Sequence, residues 1–176
     1  MRRETPPAAP DWEHSKLAIQ ETGGWIKNAD TKTTVLAAAF GVSLTFALPR
    51  LLDGVTSLVG APVLFGGWIV LMIGLGSTIG LTAFGIYRAL IPRADVRASQ
   101  LNRFAWPSVA GLATTDLPPE DRSEEAVRRE AWEQAATLAR IAAQKYRSFK
   151  LALRAFGAYV VVLAIVLALV TISQHI

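Results

Sequence analysis

The 176-residue chain carries 18 lysines and arginines against 14 aspartates and glutamates, is 52% hydrophobic and only 18% charged, and has no cysteine. A mean hydropathy of +0.34 and so few charges move it from the soluble average of about 25% charged residues towards the membrane class, with room for one domain. The missing thiols exclude disulfides, thiolate catalysis and cysteine-held metals, and the net charge of +4 informs through where the cations fall; no nucleic-acid partner is expected.

Residues 1–10, where Pro6, Pro7 and Pro10 alternate with alanines, read as a disordered tail. No signal peptide is expected, because the first apolar run begins only near Thr33. Residues 11–176 then form a single membrane domain. Asp11 after Pro10 opens a weak helix over 11–32, Gly23-Gly24 breaks or hinges it, and a new helix from Trp25 enters the first span. Between Lys32 and Arg50 stand 17 uncharged residues. That is the lower limit for crossing a bilayer, which takes about 17–25. Pro49 is the natural stop, placing the first span at about 31–49.

From Gly54 to Tyr87 there are 34 residues without a charge. Pro62 suits a first helical turn and Pro92 ends the run, so the second span covers about 62–91. Residues 92–120 contain Pro92, Pro107, Pro118 and Pro119 and read as a loop. One long helix follows from about Asp121. Asp121 and Glu124 have capping-box spacing, and the carboxylates clustered at 116–133 suit the positive end of a helix dipole. Ala135, Ala142, Phe149 and Phe156 recur every seven residues, with Ala131 and Leu138 between them, a packing seam that leads into the third span at about 153–173. Lys145 stands where an apolar residue would continue that seam.

Cations orient the spans, since lysine and arginine near span ends stay in the cytoplasm. Five precede the first span (Arg2, Arg3, Lys16, Lys27, Lys32), Arg50 alone lies in the 50–61 connection, twelve lie in 88–154, and none follows the third span. The expected protein is all-α and integral to a membrane. Its N-terminus is inside and its C-terminus outside, and the cytoplasmic segment 92–152 includes a long helix continuing into the third span.

Catalytic chemistry is not apparent. His14 and His175 fall on opposite sides of the membrane and cannot share a metal, and there is no phosphate loop, nucleophile elbow or HExxH helix. Between their ends the spans hold no Asp, Glu, Lys, Arg or His, Arg88 lying at the inner end of the second, which argues against an ion-coupled transporter. No enzyme activity, cofactor or metal is expected. Gly76 and Gly80 form a GxxxG pair, and Ala37 and Gly41 a second small-residue pair. Packing within one chain and assembly into a homo-oligomer both account for such spacings. Arg88, Arg93, Arg97, Arg103, Arg140, Lys145, Arg147 and Lys150 gather near the inner leaflet with Trp25, Tyr87, Trp106 and Tyr146. Positive-inside charge with interfacial aromatics accounts for the set, and so does a site for a phosphate-bearing ligand.

Three stretches carry a resemblance. WIKNADTKTTVLAAAFG (Trp25–Gly41) resembles the approach to the first span in the transmembrane effectors of Pycsar anti-phage systems, with Asp30 and Lys32 as its Asp-x-Lys step. FAWPSVAGL (Phe104–Leu112) is similar to a loop motif of that family at Trp106, Ser108, Val109 and Ala110, with Pro107 where the pattern has glycine. LARIAAQKYRSFKLALR (Leu138–Arg154) resembles its approach to the last span, with Ile141, Ala142, Lys145 and Tyr146 at the matching positions. The resemblance implies an effector answering cyclic CMP or cyclic UMP made by a pyrimidine cyclase on infection, which impairs the inner membrane so that the cell dies before phage mature. The candidate ligand site is Arg93, Arg97 and Arg103 on the phosphate, Trp106 stacked on the base, and Lys145 beside them. A membrane-anchored scaffold or protein-interaction module is the alternative.

Overall fold

A computed structural model describes residues 12–58, 62–92, 102–105 and 123–173. Three helices account for nearly all of them: α1 (Trp12–Leu58), α2 (Pro62–Leu90) and α3 (Glu124–Ser173). The all-helical expectation holds, and all three helices are long and apolar enough to cross a membrane. At 1.5 Å per residue, the 47 residues of α1 and 50 of α3 reach roughly 70 and 75 Å, far beyond a hydrocarbon core of about 30 Å. Helix α2 has bounds close to those expected for the second helix. It starts at Pro62, where the missing N–H is no loss, and ends before Pro92, with the Ile91 amide still donating to Tyr87 O at 3.0 Å.

Two expected breaks are not there. Gly23 and Gly24 lie inside α1 with no interruption, and α1 passes through Pro49 to Leu58. Proline forfeits one bond to the carbonyl of Thr45, but unwinding the chain would strand further backbone groups in an apolar setting where each costs several kcal/mol. Ala47 and Leu51 are both buried, so packing holds the helix on either side of the proline. The start of α3 also differs. Ser123 caps it, accepting the Ala126 amide on Oγ (3.4 Å) and the Val127 amide on its carbonyl (3.2 Å), while Asp121 of the expected capping box lies outside the described residues.

The chain divides into two compact units. Residues 29–91 and 145–176 make the unit that holds the hydrophobic core of Phe40, Ala47, Leu51, Leu75, Tyr159, Val166 and Val170. Phe40 meets Phe156 and Tyr159 edge-on, with ring centroids 6.2 and 5.5 Å apart. Tyr159 is fully buried, and its hydroxyl is hydrogen-bonded to Ser43 Oγ at 3.3 Å. Asp30 beside Lys145, Phe40 beside Phe156 and Ser43 beside Tyr159 keep a nearly constant offset, so α1 and α3 run parallel in fixed register. The exterior is apolar, with Phe46 77% exposed and Val35, Val42, Val70, Ile73 and Val161 also outward. Such a surface belongs in lipid.

Close backbone approach occurs at Gly85. A Cβ built there would lie 2.8 Å from both the Cβ and the backbone nitrogen of Ala152, whereas at Gly76, Gly80 and Gly41 it would meet nothing within 4 Å. Antiparallel α2 therefore touches α3 through Gly85, and the GxxxG pair faces outward. Gly85→Ala is expected to push the two backbones apart and lower stability by about 2–3 kcal/mol. Gly80→Ala should leave it unchanged or slightly higher, and thermal unfolding in detergent compares the two.

Candidate functional site

The five residues expected to gather on a ligand fall into three groups. Arg93, Arg97 and Trp106 lie outside the described residues, as does the motif from Pro107 to Ala110. Arg103 belongs to the unit formed by residues 1–28 and 92–144, and Lys145 to the one that carries the core. Each of these two cations is already bound to a carboxylate.

Arg103 lies in a short turn over 102–105. Asn102 builds the turn by accepting the Phe104 amide on Oδ1 (2.9 Å) and the Ala105 amide on its carbonyl (3.1 Å). The same side chain anchors it, Nδ2 donating to Glu130 O at 2.8 Å. Arg103 Nε then pairs with Glu130 Oε2 at 3.2 Å, the two side chains 23% and 9% exposed. Ala105 beneath the turn is buried, as is Ala131 of α3. Glu130 is the seventh residue of α3, too deep in the helix to serve the dipole at its start. Sequence reading assigned it to that start and missed its role as the partner of Arg103.

Lys145 lies in the seam of α3, between buried Ala142 and buried Ser148. Its side chain is 6% exposed, and Nζ meets Asp30 Oδ1 of α1 at 2.5 Å, while Asp30 is 40% exposed. An ammonium this deep requires a counter-charge, and the half-open carboxylate supplies it while keeping contact with solvent. The interruption of the seam and the Asp-x-Lys step are thus two ends of one interaction. The sequence signal was Lys145 on an apolar stripe, but its partner 115 residues away has no local signature.

The other motif positions differ in exposure. Lys32 is exposed on α1, Ile141 and Tyr146 are half-buried on α3, and Trp25 is exposed. Thr33, one turn from Asp30, is fully buried and donates its hydroxyl to Ala29 O at 2.8 Å, a polar group satisfied inside its own helix. Gly41 is open and Ala37 half-buried, and Gly76 and Gly80 are exposed on α2. No cluster of three or more metal-ligating residues occurs among the described residues.

A family model described as the Pycsar effector protein domain matches residues 14–172, which takes in Asp30, Arg103, Glu130 and Lys145 alike. No curated protein and no solved structure matches the chain.

Removing one side of the buried pair should be severe, and removing both mild. Asp30→Asn strands the Lys145 ammonium and is expected to lower stability by about 3 kcal/mol, whereas Asp30→Leu combined with Lys145→Met should return it to within about 1 kcal/mol of the parent. Chemical unfolding in mixed micelles measures both, and equal losses in the two variants would remove the pair as the source of the effect.

Proposed function

The chain belongs to the Pycsar effector protein domain family, and on that premise we propose that it is a membrane effector of bacterial anti-phage defence, activated by a cyclic pyrimidine nucleotide and acting by impairing the inner membrane. The observation that carries the reading is the match across residues 14–172, joined to a helix that runs from Glu124 to Ser173 without a break. A nucleotide bound at the cytoplasmic face moves the first half of that helix, and the rigid rod carries the motion into the bilayer. The N-terminus lies inside and the C-terminus outside, following the distribution of lysine and arginine.

The ligand site in this proposal is the basic loop. Arg93 and Arg97 take the phosphate, Trp106 stacks on the base, and Arg103 contributes the edge of its guanidinium that Glu130 leaves over. In the activated state the outward-facing Gly76 and Gly80, with Ala37 and Gly41, pack against copies of the chain in a homo-oligomer.

Calorimetry of the purified protein should give heat with cyclic CMP or cyclic UMP and none with either after Arg97→Gln and Arg103→Gln together; silence from the parent with both nucleotides would overturn direct sensing. In cells, expression with the activating nucleotide should collapse the membrane potential reported by a voltage-sensitive dye. Tolerance of that combination at the same protein level would instead fit a membrane-anchored scaffold.

A further inference from the structure

The pairing of Lys145 with Asp30 consumes the single carboxylate at one end of the core-bearing unit. The only other acidic residue in 29–91 and 145–176 is Asp53, towards the far end of α1. Asp30 beside Lys145 and Gly85 against Ala152 bring Lys32 of α1, Arg88 of α2 and Arg147, Lys150 and Arg154 of α3 to that same end, and all five are exposed. The Arg88 guanidinium lies 5.6 Å from the Phe84 ring centroid, and the neighbouring Tyr87 is exposed. A cation over an aromatic ring beside an outward tyrosine is the composition of a membrane–water boundary.

On α3 the cations form a stripe. Arg147, Lys150 and Arg154 are spaced three and four residues apart, which confines them to a sector of roughly 60° on a helix turning about 100° per residue. Like charges at this spacing repel one another. After Glu133, α3 contains no further carboxylate, and Lys150 and Arg154 make no ion pair among the described residues. Beyond Arg154 the exposed surface turns apolar through Val160, Val161, Ile165 and Ile172. With that band in hydrocarbon, the stripe stands at the depth of lipid headgroups.

We propose that Arg147, Lys150 and Arg154 form a binding site for an anionic phospholipid, its phosphate held by the stripe and its acyl chains lying along Val161 and Ile165, which share the stripe's face. The guanidinium forks suit bidentate contact with phosphate oxygens, and Lys150 adds a point charge between them. Arg154 is the deepest of the three, and an arginine stem is long enough to lie along apolar surface with its head at the boundary. The inference rests on the membrane reading given above and is independent of the nucleotide.

The test melts the full chain in a neutral detergent with phosphatidylglycerol, phosphatidylcholine or sodium phosphate added. Phosphatidylglycerol is expected to raise the melting temperature by about 4 °C, an effect that high salt weakens, and the other two additives by no more than about 1 °C. Lys150→Gln with Arg154→Gln should melt like the parent without lipid and lose the rise, and Arg50→Gln, at the opposite end of α1, should keep it. Equal rises with phosphatidylglycerol and phosphatidylcholine, an equal rise with sodium phosphate, or a full rise in the double variant each overturn the site. Should the double variant melt low, native mass spectrometry of the two single variants decides: parental retention of phosphatidylglycerol by both overturns the site, and loss by either supports it. Alkaline carbonate extraction separates the two readings. Release of the parent from membranes would sink the membrane assignment, whereas a retained parent indifferent to lipid charge sinks the lipid site alone.

Discussion

A lysine ammonium cannot be taken out of water without a partner, and this requirement organises the core-bearing unit. Lys145 stands on the packing stripe of α3, where size and chemistry call for alanine or leucine. It stays there because Asp30 reaches it from α1. An apolar pair would pack at least as well. What the ionic pair adds is address: a charge in an apolar seam has one acceptable neighbour, whereas alanines and phenylalanines have many. The register of α1 against α3 is thereby set at one end, and Phe40, Ser43, Phe156 and Tyr159 continue it inward.

Two kinds of packing meet in this unit. Between α1 and α3 the spacing is filled by aromatic rings and a buried hydroxyl, which tolerate separation. Between α2 and α3 the distance closes at Gly85, where not even a methyl group fits. The cationic residues around the same end are exposed, in contrast to the apolar sides of the bundle. Arg103 and Glu130 show the same economy in the other unit. A single buried carboxylate fixes the side chain of Arg103, and the backbone carbonyl of the same residue fixes Asn102, so one position on α3 holds the whole turn.

Legibility of this structure in the sequence follows the range of the interactions. Runs without charge are local, so all three spans could be counted from Lys32, Arg50, Tyr87 and Arg154. The seam was likewise periodic, and its alanines at 131, 135 and 142 are buried. Expectation failed where local propensity met a non-local constraint. Gly23-Gly24 and Pro49 are breakers by every short-range rule, yet α1 runs through both: two glycines cost a helix only about 1 kcal/mol each, and at Pro49 an apolar surrounding penalises free backbone groups more than it penalises a poor helix former. GxxxG drew attention because it is a pattern, while Gly85, an isolated glycine, makes the contact. Glu130 looked like one more acid near a helix start, and only the fold reveals Asn102 and Arg103 docked on it.

The parallel register of α1 and α3 has a mechanical consequence. Sliding α3 by one helical turn, about 5.4 Å, would carry Lys145 past Asp30 and leave an ammonium in the seam without its counter-charge. Piston-like travel of α3 alone is therefore the motion that this core resists most, whereas tilting or rotation of α1 and α3 as a joined pair leaves the ions together. Any force arriving along α3 is shared with α1 from its first turn in the core, so what moves within the bilayer has the cross-section of two helices instead of one.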